Sequence, residues 1–363
     1  MNSNLTNHAL FLIERLSKTW KTSRLTETDW EILLRQARAS GLLERLSVFS
    51  IDKGFFSAPD YVIKHFESAI VFFTSQQRIL HWELSLLTDV FKQLQMPLIL
   101  LKGSAYVAAD LEASCGRIFN DIDILVPAKS LEKVKNTLAW HGWFPEPLDE
   151  YDQRYYLRWM HELPPMRNIE RNTSLDIHHN ILPITCRFCP DSDKLLEGIT
   201  QVPGTDYWVL KPEDMILHSA SHLFLGGEFE RGLRDLSDID LLLRQFNEKD
   251  PDFCQKLVER SQELGLQLPL TYALRYTKEI LETDVPDEIL FSLGEKETFK
   301  KKVEDFLFIR ALMPDHPSCN DRWTGLARFL LYIRSHWLRM PLYLLIPHLL
   351  RKGWMRISGK TGH

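Results

Sequence analysis

"NDIDILV", residues 120–126, sets two aspartates one residue apart inside an apolar run. Carboxylates among Ile, Leu and Val are costly unless something cationic meets them. The chain repeats the pattern at 237–243 as "SDIDLLL", and backbone geometry separates the two copies. On a strand, residues i and i+2 point to the same face, about 7 Å apart along the chain. Asp121 and Asp123 then aim together while Ile122 and Ile124 enter the core. On a helix, i and i+2 diverge by about 200°. Asp238 and Asp240 stand in a run with Leu233, Leu236, Ile239 and Leu243 at helical spacing. They are expected to diverge, as a solvated or capping pair.

Outward from 120–126 the texture is mixed. "PLILLKG" (97–103) reads as a short buried strand ending in glycine, and "SAYVAADLEAS" as a helix starting at Ser104. Pro127 stops the aspartate strand. "KSLEKVKNTLAWHGW" is an amphipathic helix with Leu131, Val134, Leu138 and Trp140 or His141 near one face and Gly142 past its end. "ELPPMRNIE" and "TSLDIHHNI" flank "RN" as a hairpin, and "DYWVLKP" reads as a last strand. Before this block the chain is helical. "TETD" caps a helix with Trp30, Leu33, Leu34 and Ala37 on one face, and "YVIKHFESAIVFFTSQQRILHWELSLLTDVFKQLQ" is one long helix or two in series. From Pro212 to about residue 312 the helical period returns, and "MPDHPSCND" (313–321) has the composition of a linker. The expected division is a helical segment 1–96 packing on the core, a core 97–211, a helical domain 212–320 and a basic aromatic tail 321–363.

Composition narrows the class. Of 363 residues, 44% are hydrophobic and 26% charged, as in an ordinary globular protein, and the net charge of −5 gives no global basic field for a nucleic acid. Residues from Arg322 onward hold eight Lys/Arg and no Asp/Glu, which leaves −13 for residues 1–321. Five cysteines are too sparse and odd a set for a disulfide framework, so a reducing cytoplasm is expected. "CRFC" (186–189) has the spacing of half a zinc site but no second Cys pair, so it reads as two unrelated thiols. "MNSNLTNHALFLIERLSKTW" lacks the apolar core and cleavage site of a secretory signal. "MPLYLLIPHLL" (340–350) is too short to span a bilayer.

The chemistry follows from three acids and one turn. "LLKGSAYVAADL" ends a strand in Gly103 and opens a helix at Ser104, where backbone N–H groups and the positive dipole end suit a phosphate. Ser104 either caps that helix or donates to a phosphate oxygen. A third carboxylate, Asp176, lies in "SLDIHH". Mg²⁺ takes hard oxygen ligands, and a two-ion phosphoryl-transfer site needs carboxylates to hold both ions. Asp121 and Asp123 suit the bridging role, while Asp176 completes one shell and helps take a proton from the attacking hydroxyl. Lys102 and Arg117 are read either as contacts to triphosphate oxygens or as salt-bridge residues. Gly226-Gly227 precedes Asp238 by a nucleotide-site-like interval, but no strand leads into it and no acidic strand follows. His178 and His179 alternate faces, one toward Asp176, with a hydrogen-bonded structural role favoured. His218 and His222, spaced i, i+4, are read as core or subdomain-contact histidines.

The order strand, Gly-Ser, helix, Asp-x-Asp strand, then a strand with one carboxylate resembles the nucleotidyltransferase superfamily typified by DNA polymerase β. It is closer to the bacterial uncharacterised nucleotidyltransferase family, through "DWEILLRQARASGLLERL", "LILLKGSAYVAADL", "RIFNDIDILV" and "SLDIHHN" followed by "KPEDMILHSASHLF", over roughly residues 25–245. The resemblance implies an α+β fold with a polymerase β-like mixed-sheet core flanked by helical segments. It implies Gly103 and Ser104 as the phosphate turn, Asp121 and Asp123 as the metal pair and Asp176 as the third acid. The interval from Ser104 to Asp121 exceeds the superfamily's minimal pattern and fits an extra turn carrying Arg117.

The expected activity is transfer of an NMP from an NTP to an acceptor hydroxyl, with two Mg²⁺ ions (Mn²⁺ as substitute) and release of pyrophosphate. The acceptor is a small molecule, sugar or protein sooner than a long nucleic acid. Inactive members and antitoxins also occur in the superfamily, so a silent nucleotide-binding or protein-interaction module is the alternative. The tail, with Arg328, Arg334, Arg339 and Arg351 among aromatic and aliphatic residues, has three readings: peripheral contact with an anionic membrane through 322–363, a helix docked on the protein, or a grip on an acidic acceptor or RNA.

Overall fold

In the computed structural model, which describes residues 9–16, 25–52, 58–147 and 160–340, the strand-rich block forms one mixed sheet. Its strands are β1 (Leu98–Leu100), β2 (Asp121–Leu125), β3 (Trp143–Pro145), β4 (Met166–Asn168), β5 (Ser174–His178), β6 (Thr200–Gln201) and β7 (Tyr207–Val209), in the order β3-β4-β5-β2-β1-β7-β6. β2 runs antiparallel to β1 and parallel to β5, and β1 runs parallel to β7. β4 and β5 are antiparallel, joined by a turn in which Asn172 takes a positive φ of 58°, which is the expected hairpin. β3 and β6 have no clear alternation in the sequence and were not anticipated.

Helices flank the sheet in sequence on both sides: α1 (Ala9–Leu16), α2 (Glu27–Ala39), α3 (Leu43–Asp52) and α4 (Asp60–Leu94) before it, α5 (Lys102–Ala108), α6 (Leu131–Trp140) and α7 (Ser192–Glu197) within it. After it come α8 (Pro212–Gly226), α9 (Gly232–Lys249), α10 (Phe253–Leu264), α11 (Gln267–Leu281), α12 (Asp287–Ser292), α13 (Phe299–Leu312) and α14 (Thr324–Arg339). This is an α+β architecture. The capping box at Thr26 and Asp29 forms, and α4 is one unbroken helix ended by Gln95 in the left-handed region ahead of Pro97. α6 buries Val134 and Leu138, but Trp140 is 90% exposed and lies off the buried stripe. The expected linker 313–321 is irregular yet packed, with Met313 buried and Ser318 accepting from Gln36 at 2.8 Å.

One contiguous apolar core runs from Leu12 in α1 to Leu338 in α14, so the helical flanks bury their apolar stripes together with the sheet. Arg45 of α3 ties three parts together. It is 1% exposed, donates to the carbonyls of Ala113 (2.6 Å) and Cys115 (3.0 Å), and pairs with Asp238 of α9 at 2.8 Å. Gly116, at φ +62°, lies so close to the Arg45 backbone that any Cβ would collide with it. This clamp sets the start of α9 across from the β2 carboxylates.

The second Asp-Ile-Asp is helical as expected, but it is not solvated. Asp238 is 3% and Asp240 1% exposed. Asp238 meets Arg45 and Arg117, while Asp240 meets Arg244 at 2.7 Å and accepts from Thr283 at 2.5 Å. The divergence that rules out shared chelation sends each carboxylate into a different buried contact, with its own cation. The described part of the tail is a helix docked on the protein through Ala327, Leu331, Ser335 and Leu338. Arg328 pairs with Asp315 at 2.6 Å, and Arg334 donates to the Phe224 carbonyl at 3.1 Å. Residues 341–363, with Arg351 and most of 340–350, lie outside the described residues. Among the described residues no helix is long and apolar enough to cross a membrane.

Candidate active site

The parallel pairing of β2 and β5 sets Asp123 directly across from Asp176, with Asp121 across from Ser174. Period-two alternation then sends Ile122 and Ile124 into the core, both at most 2% exposed, while Asp121 opens to solvent. Asp123 is buried at 5% exposure but not alone. Its Oδ1 accepts from Lys102 Nζ at 2.8 Å and from His178 Nε2 at 2.9 Å. Among the described residues both of its side-chain bonds go to that one oxygen. The carboxylate oxygens of Asp123 and Asp176 and a ring nitrogen of His178 lie within 4.8 Å of one another. Asp121 shares the face but stands outside that group.

Electrostatics separates the three acids. Burial pushes Asp123 up, but the Lys102 charge and the His178 hydrogen bond outweigh it and hold the carboxyl well below the usual range. Asp121 is raised, first by burial and then by the charge of Asp123. Asp176 is pushed up to about 7 by burial and by the charges of Asp123, Asp121 and Glu162. Asp121 and Asp176, both raised beside the ionised Asp123, form with it an oxygen donor set that suits a divalent cation.

The turn before β2 differs in detail from the expected one. The helix begins at Lys102, not Ser104, and Lys102 takes φ +44°, a left-handed value costly for a side-chain-bearing residue. That conformation brings its ammonium back over Asp123. Ser104 is buried, and its hydroxyl donates to the carbonyls of Leu101 (2.8 Å) and Asp123 (3.3 Å) instead of capping the helix. Gly103 is required for close packing: a Cβ there would lie 2.5 Å from Phe119 Cε1 and 2.8 Å from Arg117 Nε.

Lys102, Gly103, Asp121 and Asp123 form one wall of a polar pocket of about 140 Å³, and the other wall is made by the end of α8 and the start of α9. From there His222, Arg231, Arg234 and Asp235 face in, together with Arg117. Arg117 is ion-paired with Asp238, yet its buried Nε has no hydrogen-bond partner among the described residues. His218 is buried in α8, as a core histidine should be.

Sequence reasoning misses the α9 residues because no local motif marks them; only the Gly226-Gly227 interval ahead of Asp238 points toward them. Glu162 was missed too. It follows a segment without periodicity, and only its bridge to His178 in the sheet brings it to the site. Cys186 and Cys189 join no group of metal-ligating atoms among the described residues.

No curated protein and no solved structure matches the chain. A family model does match, over residues 26–282, a span that includes the β2 and β5 acids, the Lys102 turn and all of α9. The chain belongs to that family, described as uncharacterised nucleotidyltransferase, and nucleotidyl transfer is the activity the description assigns to it.

Proposed function

We propose that the chain transfers an NMP from a nucleoside triphosphate to a hydroxyl of an acceptor, in a reaction that depends on Mg²⁺. The observation that carries this reading is the facing of Asp123 and Asp176 across a parallel strand pair, beside a pocket walled by Lys102, Arg117 and the arginines of α9. Asp121, Asp123 and Asp176 would hold the metal. When bound, Mg²⁺ neutralises the carboxylates and withdraws charge from the phosphate oxygens.

The pocket, about 140 Å³, is smaller than the roughly 300 Å³ at the low end of ligand sites, so it takes phosphates while the nucleoside extends past its mouth. Lys102, the unpartnered Nε of Arg117, Arg231 and Arg234 supply the donors for those phosphates. Ser104 positions the turn against β2 without reaching the pocket. Asp176, which faces Asp123 across the strand pair, takes the acceptor's proton. The acceptor oxygen bonds to the α-phosphorus, the bond from that phosphorus to the bridging oxygen breaks, and pyrophosphate leaves with the electron pair.

The test is calorimetric titration of the Mg²⁺ complexes of ATP, GTP, CTP and UTP against wild type and Asp123→Asn. Wild type binds at least one of them and the variant binds none. Absence of binding by the wild type overturns the proposal. A second reading, a nucleotide-binding module without turnover, is favoured by the two donors already on Asp123 Oδ1. Incubation of α-labelled triphosphates with cell extract separates the two. An enzyme labels an acceptor and loses that label in Asp121→Asn, whereas a silent module binds and labels nothing.

A further inference from the structure

His178 does more than hold Asp123. Its Nε2 must donate, because the Asp123 carboxylate only accepts, and this leaves Nδ1 facing the other way. There Nδ1 lies 3.3 Å from Glu162 Oε2, too poorly aligned for a hydrogen bond, and it is buried with no hydrogen-bond partner among the described residues. In the neutral ring that leaves a lone pair against a carboxylate oxygen. On the other side of Glu162, His161 Nε2 lies 3.9 Å from the same Oε2, and the rings of His161 and His178 are 5.3 Å apart. One ligand atom from each of the three residues fits within 4.8 Å. A buried ring nitrogen of His161, Nδ1, likewise has no hydrogen-bond partner among the described residues.

The backbone fixes this group. Glu162 bridges to His178, Leu163 N donates to the Ile177 carbonyl at 2.9 Å, and the His161 carbonyl accepts from His179 N at 2.7 Å. The three donors are therefore held by sheet pairing along the end of β5.

We propose that His161, Glu162 and His178 form a second metal site, distinct from the carboxylate site, for a borderline transition-metal ion of the Zn²⁺ class. Two imidazoles and one carboxylate are a donor set that Zn²⁺ takes and Mg²⁺ does not favour. Metal–ligand bonds of about 2.0–2.1 Å in a tetrahedron separate donor atoms by roughly 3.3 Å, against 3.3 and 3.9 Å here. A ligating histidine ordinarily donates its other N–H to a carboxylate, and Asp123 is that carboxylate. The ion thus fixes the His178 tautomer and, through it, the Asp123 oxygen that the ring holds. It is a positioning ion behind the carboxylates.

The site is tested without nucleotide, so the outcome is independent of the transferase reading. Metal-stripped full-length protein is titrated with Co²⁺ and followed by visible d–d absorption, then with Zn²⁺ in competition. The expected result is one equivalent of Co²⁺ with four- or five-coordinate bands, displaced by Zn²⁺ and resistant to excess Mg²⁺. His161→Ala weakens binding by about tenfold or more, and Glu162→Gln does the same while preserving side-chain shape, with circular dichroism confirming the fold of each. Asp121→Asn keeps the bands. Absence of d–d bands in the wild type overturns the proposal, as would follow if His178 were an imidazolium held between Asp123 and Glu162. Bands unchanged in both His161→Ala and Glu162→Gln, or removed by Mg²⁺, overturn it equally.

Discussion

Replacing Asp176 with Asn isolates the electrostatic cost of the acidic cluster. Among the described residues no hydrogen bond or ion pair holds this carboxylate, so the substitution removes a charge without breaking a contact. Burial and the charges of Asp123, Asp121 and Glu162 move it from the ordinary 3.8 to about 7. A raised carboxyl binds its proton in the folded state over a range where the unfolded chain has lost it. Stability is therefore complete below about pH 4, falls as pH rises toward 7 and is flat above. Keeping Asp176 ionised at pH 8 costs up to roughly 4 kcal/mol. Urea denaturation from pH 5 to 8.5, with chelator present, should show wild type losing stability toward neutrality and Asp176→Asn losing much less. The variant should be the more stable protein at pH 8. Saturating Mg²⁺ should flatten the wild-type slope, because a cation among the carboxylates keeps them ionised. Parallel curves for the two proteins would show that Asp176 does not feel its neighbours and would refute the reasoning.

Three further outcomes follow from the same geometry. Gly103→Ala puts a Cβ against Phe119 and Arg117; nucleotide affinity should fall by about tenfold or more, one such step being ~1.4 kcal/mol, because both side chains must shift at the pocket wall. Asp238→Asn strands the buried Arg45 guanidinium; denaturation should show a loss of about 3–5 kcal/mol, far more than at any exposed pair. Arg231→Ala, at the open rim of the pocket, should weaken triphosphate binding and reduce its salt dependence while leaving the denaturation midpoint in place.

The local chemistry of the acids was legible in the chain. Alternation around 120–126 determined that Asp121 and Asp123 share a face, and the helical period around 237–243 determined that Asp238 and Asp240 do not. Both inferences need only backbone geometry, which a few residues specify. The helical flanks and the strands around 98–100, 121–125 and 174–178 followed from the same periodicities, while the α+β class rested on the family resemblance; the short strands β3 and β6 were lost because two or three residues carry no period. Sequence alone gave no access to distances across the fold. That Asp123 faces Asp176, that Lys102 and His178 share one oxygen of Asp123, and that Glu162 reaches His178 all depend on tertiary pairing, which joins residues 16 to 55 positions apart. The fate of the second acidic doublet was decided the same way. Its neighbours made it helical, but only the packing of α3 and α9, fixed by Arg45, decided that the doublet would be buried and that the start of α9 would wall the pocket. Burial is a property of what lies opposite, and nothing within a segment encodes its opposite face.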